Sequence, residues 1–185
     1  MINKISSLVE EACKNDSNHF GYGIWTHHIL NVVKYGKMLA NKTSADEEIV
    51  EISALLHDYA SIKDFAMYEE HHIHGAREAE TLLQRYHYPA KKIEMVKACI
   101  LSHRGSKPKA KITKESLCLA DADSMAHFDS VASLFYLAFI NHKMDIDTAN
   151  TWLLGKLERS WAKLSPDAKA IINNKYEACK LILGE

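Results

Sequence analysis

Apolar positions recur at intervals of three and four along most of the chain, the spacing of helices with one buried face. Ile2, Ile5, Leu8, Val9 and Ala12 form the first such stripe, and Gly21-Tyr22-Gly23 interrupts it. A second helix is predicted from Thr26 as N-cap, carrying Ile29, Val32, Val33, Tyr35, Gly36, Leu39 and Ala40. Residues 41–44 read as a turn. Ser44 then caps a third helix, and Glu47 three residues on completes a capping box. That helix runs through Ile49, Ile52, Leu55 and Leu56 to the polar pair His57-Asp58.

Further along, a loop or short helix covers about 61–68. Helices follow with Ala76, Ala79, Leu82 and Leu83, and with Ile93, Val96, Ile100 and Leu101, divided at Tyr88-Pro89 because proline pushes its predecessor out of helical geometry. The stretch 105–111, GSKPKAK, reads as the clearest loop. Thr113 with Ser116 starts a helix through Leu117, Leu119 and Met125. Residues 131–140 are strongly apolar and predict a buried helix. Two more helices fit 147–164 and 166–183, with Pro166 suited to a first turn. Trp152, Leu153, Leu157, Trp161 and Leu164 read as a cover for the core, with a homodimer face as the alternative. The expected architecture is all-α, a compact bundle of about 8–10 helices.

Composition narrows the function classes. Of the 185 residues 47% are hydrophobic, which is globular composition, and no repeat or linker divides the chain. Lys plus Arg is 23 against 24 Asp plus Glu, so no electrostatic case exists for bulk nucleic acid or an anionic membrane. No apolar run approaches the roughly 18 residues of a membrane span. The N-terminus lacks the apolar region of a signal peptide, and Cys13, Cys99, Cys118 and Cys179 form no C-x-x-C pair. A cytoplasmic protein with reduced thiols is expected.

The 11 histidines stand out, and their positions matter more than their number. His27-His28, His57-Asp58, His71-His72-Ile73-His74 and His103-Arg104 fall on or at the ends of predicted helices, and Asp121-Ala122-Asp123 follows on a later one. His57-Asp58 is the most informative pair. It ends an apolar helix, and a buried carboxylate there costs free energy unless a cation or hydrogen bonds satisfy it. Taken alone, the pair also fits a solvent-facing helix end.

The order and spacing of the whole set resemble the HD-domain superfamily of metal-dependent phosphohydrolases, over about residues 20–130. His28, Val32, Gly36, Leu39 and Ala40 match the family's first motif, Ala54 to Asp58 its A-L-L-H-D, and His71, Gly75 and Ala76 its H-x-x-x-G-A. Ile100 to His103 match a helix ending in I-x-x-H, and Asp121 to Asp123 the closing D-A-D. The resemblance implies one HD-type domain over 1–185. It implies metal ligation by His28, His57, Asp58 and Asp123, with His71 and His103 holding a second ion or the substrate phosphate. His28 is preferred over His27 and Asp123 over Asp121 by register. Asp121 is left to orient a ligand histidine, and His74 remains the competitor of His71. His72 reads as supporting, and His19, His87, His127 and His142 as ordinary surface or structural residues.

Such a nitrogen and oxygen donor set suits Mn, Fe, Co, Ni or Zn, as one or two ions. The chemistry implied is attack of a metal-bound hydroxide on phosphorus in a nucleotide or other phosphate ester, with Asp58, His71, His103 and Arg104 in catalytic roles. Lys63, Lys107, Lys109, Lys111 and Lys114 are further candidates for drawing in phosphate. Tyr22, Trp25, Tyr59, Phe65 and Tyr68 flank the motifs and either line a pocket or fill the core. The HD-GYP signature is missing, so cyclic di-GMP hydrolysis is not expected. Two alternatives stay open: a di-iron oxygenase of the HD type, and a non-catalytic metal- or nucleotide-binding module.

Overall fold

Helix α3 (Glu47–Leu56) is the hub: apart from Glu51, every residue from Ile49 to Leu56 is buried. It is short and apolar on nearly all sides, so neighbours must cover it from several directions. The computed structural model describes residues 1–104 and 113–184, and among them it has ten α-helices and no strand. Around α3 pack α1 (Ile2–Lys14), α2 (Leu30–Thr43), α6 (Ala90–Ser102) and α7 (Lys114–Asp129). The short α4 (Tyr59–Lys63) leads by a 3-10 turn, Phe65–Met67, into α5 (His71–Arg85), which pairs with α6. Then α8 (Val131–Tyr136) and a π-helical turn, Leu137–Asn141, precede α9 (Ile146–Lys163) and α10 (Pro166–Leu183), both against α7.

Several helix ends differ from the sequence expectation. The second helix does not start at a Thr26 cap. A π-helical turn, Trp25–Ile29, runs straight into α2, and Thr26 sits inside it. Residues 41–43 belong to α2, and Ser44 ends that helix in a left-handed conformation at φ 54°. Asp46 therefore caps α3, accepting from the Ile49 N–H at 3.2 Å. Helix 131–140 is not buried throughout. Leu134, Leu137 and Ala138 face inward while Tyr136, Phe139 and Ile140 are exposed, because α7 and α9 cover only part of this segment's circumference. Thr113 and Ser116 start α7 as expected, joined in a capping box, and Pro166 takes the expected place in the first turn of α10, which Ser165 caps. The loop 105–111 lies outside the described residues. All four cysteines are free and buried, and no helix among the described residues is long and apolar enough to cross a membrane.

Gly75 shows how a motif glycine serves this packing. A Cβ there would lie 3.0 Å from the His57 carbonyl oxygen and 3.2 Å from Cγ2 of Ile100. One of the two is backbone and cannot swing aside, so α5 approaches the end of α3 only because residue 75 has no side chain. Gly75→Val is expected to destabilise the fold by about 1–3 kcal/mol. Urea unfolding checks this, and an unchanged midpoint would contradict it.

Candidate metal centre

Five helical segments deliver one or two polar side chains each to a common point. His28 comes from the π-helical turn, whose wider i→i+5 bonding (Leu30 N–H to the Trp25 carbonyl) is characteristic of functional positions. His57 and Asp58 follow the last turn of α3, His71 opens α5, His103 follows α6, and Asp123 lies mid-way along α7. Polar residues at helix ends can leave the apolar stripe without breaking it, which is why the site forms where helix ends converge.

Three of the histidines are held in the same way. The Nδ1–H of His57 donates to the Ala54 carbonyl at 2.7 Å, that of His71 to Tyr68 at 2.8 Å, and that of His103 to Ile100 at 2.6 Å. A carbonyl only accepts, so Nδ1 must carry the proton and a neutral ring presents a bare lone pair at Nε2. Those lone pairs meet. His71 Nε2 stands 3.1 Å from His103 Nε2, and His57 Nε2 stands 3.2 Å from His28 Nε2. Asp58 joins the two pairs: Oδ2 is 3.3 Å from both His28 and His57, and Oδ1 is 3.8 Å from His71. Asp123 Oδ1 lies 3.5 Å from His28 and 3.9 Å from His57.

Two acceptors cannot hydrogen-bond each other, so the His71–His103 pair needs a cation or a proton between its nitrogens, and His57 turns an equally bare Nε2 towards His28. Without an ion, a proton is the substitute. Burial disfavours the charged His57, but the adjacent Asp58 outweighs it and raises the ring to about 9. Burial likewise opposes ionisation of Asp58, yet His57, His28 and His71 hold it well below the usual carboxylate range. Asp123 is held low against its burial by His127, His28 and His57. His103 goes the other way. Its burial dominates and lowers it to about 4, so its Nε2 stays a free donor atom. Bonds of about 2.0–2.1 Å from one ion put neighbouring donors about 3.0–3.5 Å apart. The closest pairs here have that spacing, and the imidazole-carboxylate set fits a borderline divalent ion. His28, His57 and Asp58 form one group able to hold an ion, and Asp58, His71 and His103 another.

A profile of the HD domain matches residues 25–127, more than half of the chain, from the π-helical turn to the end of the histidine and aspartate set. The chain belongs to the HD domain family. Solved structures extend the likeness beyond that span. Bacillus subtilis YpgQ, crystallised in complex with ADP, superposes with a TM-score of 0.71 at 21% identity, over 98% of this chain and 94% of that one. A Lactobacillus plantarum protein gives 0.73 at 16% identity, over 98% and 92%. A predicted HD superfamily hydrolase from an uncultured Thermotogales bacterium gives 0.57 at 23%, over 84% of each. At these identities the likeness is one of fold. No curated protein matches the sequence.

Within this HD domain, the structure brings His28, His57, Asp58, His71, His103 and Asp123 to one place. His74 and His27 stand outside the donor groups, although His27 borders the cavity. Asp121 has a different task from the one expected. Its carboxylate accepts from the Ser165 N–H at 3.0 Å and the Ser165 hydroxyl at 2.5 Å, so it anchors the start of α10 and orients no ligand histidine. Lys63 pairs with Glu78 at 2.7 Å, and Lys114 donates to the Thr43 carbonyl. Neither lines the cavity. Lys107, Lys109 and Lys111 lie outside the described residues.

His127 corrects the reading of it as an ordinary histidine. Its ring stacks on His28 at 5.6 Å and forms, with His28 and Asp123, a third donor group. The available signal was its position four residues after Asp123, on the same face of α7. The donors open into a cavity of about 700 Å³. Tyr22 and Tyr68 line it, whereas Trp25 is buried in the core and Phe65 stacks on Tyr68. Arg104 borders it too, tied to the Glu69 carbonyl and 3.8 Å from the Glu69 carboxylate. On α9 and at its C-cap, Leu153, Leu157 and Leu164 are buried and Trp152 and Trp161 pack against the core, as expected, while an adjoining face brings Trp152, Lys156, Arg159 and Lys163 to the cavity.

Proposed function

We propose that this HD domain is a metal-dependent phosphohydrolase acting on a nucleotide or another phosphate ester. His28, His57, Asp58 and Asp123 hold one divalent ion, and Asp58, His71 and His103 hold a second, drawn from Mn, Fe, Co, Ni or Zn. The observation that carries the reading is the convergence on Asp58 of two facing bare Nε2 atoms, from His71 and His103, and of the His57 and His28 Nε2 atoms on its other side. The ADP bound to YpgQ and the description of the Thermotogales relative as a hydrolase support the same substrate chemistry.

When bound, the ions supply the Lewis acidity that activates water and offsets phosphoryl charge. The protein's own groups do the rest. The three backbone-held imidazoles keep their donor atoms aimed without reorganisation. Arg104, next to His103 and partly exposed, turns its remaining N–H groups to phosphoryl oxygens. The Tyr68 hydroxyl is pushed up to about 12 by burial and by the Asp58 charge, so it stays protonated and offers a hydrogen bond to the substrate.

The test is phosphate release from a panel of nucleotides and p-nitrophenyl phosphate by Mn-loaded protein. Release abolished by chelation and restored by Mn²⁺ is expected. No release by protein carrying its ions would contradict hydrolysis, and oxygen uptake by the iron-loaded protein would put the oxygenase reading in its place.

A further inference from the structure

Helix α9 lies beyond the span matched by the family profile, yet one face of it forms part of the cavity. Trp152, Lys156, Arg159, Ser160 and Lys163 follow steps of four, three, one and three, so they share one helical stripe. Ser160 is buried and meets His127 Nδ1 at 3.0 Å, which locks the register of this stripe against the metal centre. The three cations lack carboxylate partners among the described residues. Lys156 lies over the Trp152 ring, 5.8 Å from its centre, and Lys163 donates only to the Arg104 carbonyl, at 3.4 Å. Other lysines that reach a partly buried position pair closely with acids, as Lys37 does with Glu51 at 2.8 Å and Lys97 with Glu80 at 2.9 Å.

An unpaired ammonium in a partly buried wall costs free energy that an anionic ligand recovers. Lys156 bears this cost visibly. Burial lowers its pKa, and Arg159 and Lys163 lower it further, against the opposing pull of Asp123 and Asp58. Divalent ions on those carboxylates would remove that pull and leave the stripe more electropositive. The metal centre and Arg104 already answer one phosphoryl group. From Lys156 to Lys163 the helix adds about 10 Å of positive wall, longer than a single phosphoryl group.

We propose that α9 is the specificity element of this enzyme. Lys156 and Arg159, extended by Lys163, bind a second phosphoryl group of the substrate, so the site selects diphosphoryl compounds over monophosphate esters. The inference rests on the phosphohydrolase reading given above, whose failure the following experiment separates from its own.

Isothermal titration calorimetry on Mn-loaded protein compares inorganic phosphate with methylenediphosphonate, each pre-equilibrated with Mn²⁺. The diphosphonate is expected to bind at least about tenfold more tightly, the worth of one further charge-assisted hydrogen bond. Lys156→Met and Arg159→Gln should each remove most of that preference while phosphate affinity stays within about twofold, and Lys156→Arg should retain it. Arg159 is exposed, so its variant carries the test if Lys156→Met does not fold. Phosphate binding without preference for the diphosphonate would overturn the assignment of α9 alone. So would variants that weaken both ligands alike. Failure of both ligands to bind the loaded wild type would overturn the phosphohydrolase reading as well.

Discussion

Asp58→Asn is expected to lower turnover by at least about 10²–10³-fold, the usual cost of removing one preorganised electrostatic group. The effect should lie at or above the top of that range because Asp58 alone belongs to both principal donor groups. Its Oδ2 faces His28 and His57, and its Oδ1 faces His71. An asparagine keeps the shape but removes the charge and one of the two oxygens, so one donor group loses its carboxylate oxygen and the other keeps only a neutral amide oxygen. It also takes from His57 the partner that raises the ring, leaving burial to neutralise it. Two measurements check this: steady-state hydrolysis, and bound metal on the same sample. A variant with full metal content and more than about a tenth of wild-type turnover would contradict the shared role of Asp58.

The second large effect is on stability. An ion that binds the folded state alone stabilises it by about 4 kcal/mol at a free concentration a thousand times Kd. For a chain of this size each kcal/mol moves the melting temperature by about 2–4 °C, so metal loading should raise it by about 8–16 °C. The metal-free protein should also show a particular pH dependence. His57 is raised from an ordinary value near 6.5 to about 9 in the folded state. A raised histidine contributes stability that is fully present below its unfolded pKa and is lost as the pH climbs through its folded pKa. Metal-free protein should therefore melt lower at about pH 9.5 than at about pH 7. Differential scanning fluorimetry reads both effects. Equal melting temperatures with and without metal, or a metal-free protein that gains stability over that range, would contradict the charge arrangement described for the centre.

The part of this site that could be read from sequence is the part written at helix ends. His57-Asp58 interrupts an apolar stripe, and His71 stands one turn before a glycine whose missing side chain lets α5 reach the end of α3. Asp123 is set apart from Asp121 by the resemblance to the closing D-A-D motif, and the about 200° between them around α7 leaves only one of the two facing the site. One reaches the histidines and the other reaches Ser165. What stayed hidden depended on tertiary placement. His127 has no motif of its own, and its role appears only once α9 and the π-helical turn bring Ser160 and His28 beside it. Lys156, Arg159 and Lys163 look like the solvated face of an amphipathic helix until the fold turns that face to the cavity. Hydrophobicity along 131–140 could not say which face would find a neighbour, and half of it found none. Asp46 replaced Ser44 as a cap because α2 continued to Thr43 and used Ser44 to stop.

Metal content per chain tests the central claim most directly. Untagged protein, purified without chelator and incubated with Mn, Fe, Co, Ni or Zn, is measured by inductively coupled plasma mass spectrometry. The two donor groups sharing Asp58 predict close to about two equivalents of a divalent ion. Less than about a tenth of an equivalent would mean that the facing imidazoles are bridged by protons rather than ions, and the metal centre would lose its physical basis.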